Sequence, residues 1–351
     1  MRSESERAAA VEETSGWIGR ETVYDGVDEV SRNDIRRKLE VYCFDCPIHT
    51  DDAVARAHGY RMATAPAGLI PLWTLPAYWS PGDAPIFGPG LKEKDGSVRT
   101  PLPNLWKNGL NASNEVEFFE PVYPGDRLRT VTKLVEVSPK QTRLGYGAFL
   151  VYESVISKLS GEKVAVRRNT SFRYDADTRD AAGGRGGRGT QEADPATDVS
   201  AASPYNEPID WSRQRHASDV RPGEDLPTYN VWLSYQRIVM SIAVDRMFSG
   251  IHHNRDFARE GGLDDIIFNT RGYDMTIELM LRRWIGLDGR IVKIGPFRMK
   301  GAGHPGDTLV CGGRVTGIET AGGRALVTLS IWVDSPRGRG TSGEAVISLP
   351  V

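Results

Sequence analysis

Tyr123-Pro124-Gly125-Asp126-Arg127-Leu128 is written again, slightly altered, as His304-Pro305-Gly306-Asp307-Thr308-Leu309. Downstream of each copy a second signpost recurs, Ser160-Gly161-Glu162 and Ser342-Gly343-Glu344, with Gly161 36 residues after Gly125 and Gly343 37 residues after Gly306. Both intervals hold strand-like text: LRTVTKLVEV and TRLGYGAFLVYESVISK in the first, TLVCGGRVTGIE and RALVTLSIWVDSP in the second. Runs rich in Val, Thr, Leu and aromatics with turn residues between them predict an antiparallel meander. The PGD and SGE triplets are expected at tight turns or strand entries. Two matches in the same order at near-equal spacing point to an internal duplication.

Working outward, each meander follows helix-forming text. Ile277, Met280, Leu281 and Trp284 recur at i, i+3, i+4 and i+7, which predicts a helix with one apolar face. Leu69, Ile70, Leu72, Trp73 and Leu75 stand in the corresponding place of the first copy, but Pro66, Pro71 and Pro76 weaken that helix because interior proline lacks an N–H and clashes with the preceding turn. Shorter helical pieces come earlier: DIRRKLEVY with Asn33 as the expected N-cap, and YQRIVMSIAVDRMF. Each copy is thus helices first and a long-stranded antiparallel sheet after, an α+β arrangement in which a main helix packs on its own sheet. The expected organisation is a polar N-terminal tail over residues 1–19, a first repeat over 20–175, a flexible Gly/Arg/Asp-rich linker over 176–204 that is nearly without large apolar residues, and a second repeat over 205–351.

Composition narrows the function classes. The 44 Lys plus Arg nearly balance 46 Asp plus Glu, so no broad positive field exists for nucleic acid. No apolar run approaches the roughly 18 residues needed to span a bilayer, and the polar N-terminus has no secretory h-region. Three cysteines make no paired disulfide framework, and the expected setting is the cytoplasm. A length of 351 residues suggests two domains, each with its own core. Gly184-Arg185-Gly186-Gly187-Arg188-Gly189 satisfies a dinucleotide-binding pattern but lies in the linker, with no strand before it and no helix after. Cys43-Phe44-Asp45-Cys46 is a lone C-x-x-C without the second pair a zinc site needs. No metal and no cofactor is expected.

The text ahead of each main helix resembles a known family. Asp45-Cys46-Pro47-Ile48-His49-Thr50-Asp51-Asp52-Ala53 continues to Ala57-His58-Gly59-Tyr60 and Ala65-Pro66, and Gly250-Ile251-His252-His253-Asn254-Arg255-Asp256-Phe257-Ala258-Arg259 continues to Gly261-Gly262-Leu263. Both are similar to the MaoC-like acyl-CoA hydratase/dehydratase signature, roughly G-D-x-N-P-I-H-x-D-x-x-x-A-R-x-x-G, and the Y-P-G-D and H-P-G-D elements are similar to that family as well. The resemblance implies a double hotdog, two tandem repeats each with a long central helix wrapped by an antiparallel sheet. It also implies a hydro-lyase adding or removing water at the α,β-bond of an acyl thioester, acyl-CoA or acyl-carrier, with a homodimer or another hotdog subunit as the expected partner.

The family's catalytic Asp stands five residues before its His and an Asn three before. Here those places hold Phe44 and Cys46 ahead of His49, and Met247 and Ser249 ahead of His252. The nearest carboxylates are Asp45 and Asp245. The candidate acid/base pairs are therefore Asp45 with His49, and Asp245 with His252 or His253. Against this, Asp45 has an ordinary reading as a turn cap, the histidines as buried hydrogen-bonded side chains, and Asp245 as part of a polar helix face. Asp126 and Asp307 are expected to fix turns. Backbone N–H groups at a helix N-terminus suit a developing oxyanion. The resemblance puts Gly272, next to Tyr273 at the expected start of the second main helix, near the family's oxyanion glycine; Ala67 and Gly68 hold the comparable place in the first copy. Trp73, Tyr78, Trp79 and Trp106 are expected either to line an apolar site or to pack a core. The same fold and groups also suit thioester hydrolysis, in which a carboxylate activates water, or a catalytically degenerate subunit that binds a thioester or completes a partner's site.

Overall fold

The computed structural model describes residues 3–89, 102, 105–106, 108–142, 145–176, 198–260 and 263–351. The linker's central part, with the glycine pattern at 184–189, and Gly261-Gly262 lie outside the described residues.

Among the described residues ten antiparallel strands form one sheet: β1 Glu21–Asp25, β2 Asn108–Phe118, β3 Leu128–Thr142, β4 Gly145–Lys158, β5 Lys163–Ala176, β6 Tyr229–Trp232, β7 Arg290–Met299, β8 Thr308–Ala321, β9 Arg324–Ser335 and β10 Gly338–Pro350. Their order, β1-β3-β4-β5-β2-β7-β10-β9-β8-β6, is a five-strand unit followed by its own mirror sequence, as duplication requires. The units join where β2 pairs with β7, with Asn114 opposite Phe297 and Val116 opposite Ile294. A double hotdog results, and the two repeats do not keep separate cores. One cluster of buried side chains runs from Val30 and Leu72 through Met275 and Leu281 to Leu349, because the seam strands and main helix face both ways.

The first signpost is structurally equivalent in the two repeats. Gly125 and Gly306 both have φ of 90°, and the Oδ2 atoms of Asp126 and Asp307 accept from the Tyr123 and His304 amides at 2.9 Å. The second signpost is not. Ser160-Gly161-Glu162 forms the β4–β5 turn with Gly161 at φ 110°, whereas Ser342-Gly343-Glu344 lies inside β10 beside a register shift. There a Cβ on Gly343 would stand 2.3 Å from the Pro296 carbonyl oxygen, so this glycine serves close strand approach at the seam. The equivalent of Gly161 is Gly338, again with φ 110°.

The helices also depart from expectation in ways that shape the site. Residues read as a polar tail form α1, Glu4–Ser15, started by a Ser3/Glu6 capping box. Helix α2 spans Arg32–Tyr42 and is capped by Ser31 rather than Asn33, since the Ser31 side chain reaches the Asp34 amide. Its counterpart α4, Tyr235–Asp245, is capped by Ser234, and both end in a left-handed residue, Cys43 and Arg246. Short helices α3, Asp52–Ala57, and α5, Arg255–Glu260, follow. The second repeat has its full main helix, α6, Thr270–Ile285, which is buried along most of its length and takes Glu278 and Arg282 inside with its apolar residues. In the first repeat the corresponding element is only a 3₁₀ segment, Ala67–Thr74, with Pro71 inside it. Its Leu69, Ile70, Leu72 and Trp73 are buried as expected, but the prolines prevent an α-helical ladder.

Candidate functional site

The two signature histidines occupy equivalent places. Each closes a short 3₁₀ turn, Pro47–His49 or Gly250–His252. The His49 Nδ1 meets the Thr64 carbonyl at 2.7 Å, and the His252 Nδ1 meets the Ile267 carbonyl at 2.8 Å. A backbone carbonyl only accepts, so Nδ1 carries the proton and Nε2 is the lone-pair nitrogen of a neutral ring. Burial holds both rings neutral by lowering their pKa, to about 3 for His49. Asp51 and Asn254, two residues after these histidines, cap α3 and α5.

The carboxylates do not join them. Asp45 is exposed and accepts from Trp211 Nε1 at 3.1 Å, while Trp211 packs edge-on to Phe44. Asp245 is fully buried in an ion pair with Lys38 Nζ at 2.5 Å that ties α4 to α2 across the repeats, and Asn269 Nδ2 lies 3.4 Å from its other oxygen. Among the described residues no hydrogen bond or ion pair connects Asp45 to His49 or Asp245 to His252. His253 Nε2 lies 3.1 Å from the Phe248 carbonyl.

The helix-start amides are already partnered. Gly272 N–H donates to the Asn269 side chain at 2.6 Å, and a Cβ there would meet Phe268 at 2.2 Å. Tyr273 is buried, with its hydroxyl accepting from Gly303 N–H at 2.7 Å. In the first repeat, Ala67 and Gly68 donate to the two oxygens of Glu278 at 2.6 and 2.5 Å. A carboxylate of the chain itself thus occupies the paired amides and fastens the 3₁₀ segment to α6. Burial pushes the Glu278 pKa up despite these two bonds. Glu278→Ala leaves both amides without an acceptor and opens a void, so urea denaturation is expected to show a loss of about 2–5 kcal/mol. An unchanged midpoint would refute the latch.

A narrow cleft, partly open to solvent, lies at the seam beside this latch. Ile70, Val116, Phe118, Ile156 and Ile294 give it apolar walls, and Arg167, Asp274 and Glu278 are its charged groups. Asn114 Nδ2 lies 3.2 and 3.1 Å from the two Asp274 oxygens, Arg167 Nε donates to Asn114 Oδ1 at 2.8 Å, and Arg167 Nη2 is 3.9 Å from Asp274. Burial raises the Asp274 pKa, partly offset by Arg167 and Asn114.

None of the candidate acid/base side chains, Asp45, His49, Asp245, His252 or His253, lines this cleft, nor do Gly272 and Tyr273; Gly68 does. Trp73 is in the core, Trp106 packs with Ala10 in a separate cluster, Tyr78 meets Phe248 edge-on and Trp79 is exposed. Asp274 and Glu278 escaped the sequence reading. Their signal was two carboxylates at i and i+4 inside a helix flanked by Met275, Thr276 and Leu279, which places both on a buried face.

Comparisons with known proteins follow the same lines. The profile of the FAS1-like dehydratase domain region matches residues 16–167, in the first repeat. A probable enoyl-CoA hydratase alpha subunit of Thermomonospora curvata is 27% identical over 162 residues, 45% of this chain and 50% of that protein, so the chain spans about half that relative's length. A UPF0336 protein of Saccharopolyspora erythraea is 30% identical over 154 residues, 44% of this chain and 86% of that protein. Among solved structures, a MaoC-like dehydratase superposes with a TM-score of 0.67 at 17% identity, over 96% of this chain and 99% of the other, a likeness of fold. Among the described residues no helix is long and apolar enough to cross a membrane.

Proposed function

We propose, from the premise that this chain belongs to the MaoC-like hydratase/dehydratase family of double-hotdog proteins, that it is a hydro-lyase adding or removing water at the α,β-bond of an acyl thioester, with acyl-CoA as the substrate class. The observation that carries this reading is the seam cleft: apolar walls, and on one side of it the Asp274 carboxyl, whose pKa burial raises. A carboxyl whose pKa is raised by burial is a stronger base when ionised than an ordinary one. The shortened 3₁₀ segment of the first repeat supports the same reading, because it borders the cleft where a full helix would stand. The relative whose name specifies enoyl-CoA hydration agrees with the thioester class.

Thioester hydrolysis is the second reading. It is favoured by one observation, that carboxylates rather than histidines line the cleft, since a carboxylate alone can activate water. A panel of enoyl- and saturated acyl-CoA esters, followed by mass spectrometry and by thiol release, separates the two. The expected outcome is reversible gain of one water by an enoyl-CoA with no free CoA. Release of CoA from saturated esters would replace hydration by hydrolysis, and neither product from any ester would sink both. Since the relative is named as an alpha subunit, association with a second hotdog chain belongs to the proposal, and light scattering of the purified protein reports whether it self-associates.

A further inference from the structure

We propose that Asp274 is the catalytic carboxyl of this chain, with Asn114 and Arg167 as its positioning residues. The inference rests on the hydro-lyase reading above and adds to it the group that handles the proton.

Three charged side chains reach the seam cleft, and their bonding separates them. Glu278 is 5% exposed and has each oxygen engaged by a backbone amide, so it holds structure and offers little to a substrate. Arg167 spends its Nε on Asn114. Asp274 is different. Its two oxygens share a single Asn114 N–H₂ group, and the Arg167 Nη2 at 3.9 Å is too far for a hydrogen bond. A carboxylate has about four acceptor positions, so Asp274 retains capacity facing the cleft, where its side chain is 15% exposed.

The orientation of that carboxyl is fixed from outside its own helix. Arg167 has no acceptor, so its 2.8 Å bond requires the Asn114 oxygen to face it and turns the Asn114 NH₂ toward Asp274. Asn114 is 1% exposed and sits on β2 opposite Phe297 of β7, so the anchor comes from a buried position on the seam itself. Arg167 comes from β5 and Asp274 from the first turns of α6. The charged or titratable groups acting on Asp274 are Arg167 on β5, Arg271 beside it on α6, Asp245 on α4 and the neighbouring Glu278 in the cleft wall.

In hydration, the ionised Asp274 takes a proton from water as the water oxygen bonds to Cβ. The Cα–Cβ π pair moves onto the thioester as an enolate, and the now neutral carboxyl returns its proton to Cα. One water is consumed, the carboxylate is regenerated, and both new bonds form on one face. Dehydration is the reverse, and neither direction needs an oxidant or a second reactant.

The test uses the full chain and the enoyl-CoA that the panel identifies. Asp274→Asn is expected to lower kcat at least about 100-fold, as loss of a general acid/base does, with KM changed only a few-fold and the far-ultraviolet circular dichroism retained. Arg167→Met provides a second measurement that a purely structural role would not move. Arg167 favours the ionised carboxylate, so its removal raises the Asp274 pKa and shifts the acid limb of kcat/KM to higher pH. Full activity in Asp274→Asn on a substrate the wild type hydrates, or an acid limb that stays in place in Arg167→Met, overturns the assignment while leaving the hydro-lyase reading standing. A wild type that hydrates no ester in the panel removes that reading and this assignment together. Should Asp274→Asn lose its fold, the Arg167→Met profile decides.

Discussion

Replacing Lys38 by methionine is expected to destabilise the protein by about 3–5 kcal/mol, the usual consequence of stranding one partner of a buried ion pair. Lys38 and Asp245 have side chains 0% and 1% exposed, and their 2.5 Å contact links α2 of the first repeat to α4 of the second. Without the ammonium, the buried Asp245 carboxylate is left with the 3.4 Å approach of Asn269 Nδ2 and the more distant charge of Arg271. Against a typical total stability of about 5–15 kcal/mol, such a loss is large. Urea denaturation gives the size of the change, and the Lys38→Met/Asp245→Asn double variant tests its cause. Neutralising both partners removes the stranded charge, so the double variant is expected to recover most of the loss. If it is no more stable than Lys38→Met, the damage comes from lost contact with the Tyr42 ring rather than from the charge.

Acid is expected to weaken the fold through His49, with a window set by the histidine itself. The ring titrates at 6.5 when unperturbed and at about 3 in the folded protein, where burial excludes the imidazolium. Above pH 6.5 neither state takes up this proton and stability is unaffected. As pH falls toward 3 the unfolded chain binds the proton and the folded chain does not, so stability declines, by up to about 4–5 kcal/mol. His252 acts in the same direction. Asp274 and Glu278 act in the opposite one, because their raised pKa values make the folded state the better proton acceptor. The informative comparison is therefore wild type against His49→Gln, whose amide can still donate to the Thr64 carbonyl. The variant is expected to show a flatter stability profile between pH 6.5 and 4; parallel profiles would mean that the ring becomes protonated in place.

Much of the scaffold was legible in the chain. The PGD turns could be read because a turn needing φ near 90° admits little but glycine, and the Asp that follows has a local amide to accept from. The SGE repeat misled for the complementary reason. Gly161 is required by a turn and Gly343 by a neighbouring strand, and identical letters do not distinguish a local constraint from a remote one. The prolines correctly marked the weakness of the first main helix, while the length of the 3₁₀ segment that replaced it depended on what it packs against.

The candidate site shows the same division. The histidines and their spacing are local text, and each closes a short 3₁₀ turn with its ring fixed by a carbonyl 15 residues away. The partners of the carboxylates are set by pairings of 160 residues or more in sequence separation: Asp45 with Trp211, Asp245 with Lys38, Asp274 with Asn114, and Glu278 with Ala67 and Gly68. Sequence by itself determined the duplication, the strands and the turns, because backbone conformation and alternation of side chains are governed by near neighbours. Tertiary structure alone decided which buried charge meets which, because a carboxylate forced out of water takes whatever donor the closing of the two repeats brings within reach, and that donor lies on the other side of the seam.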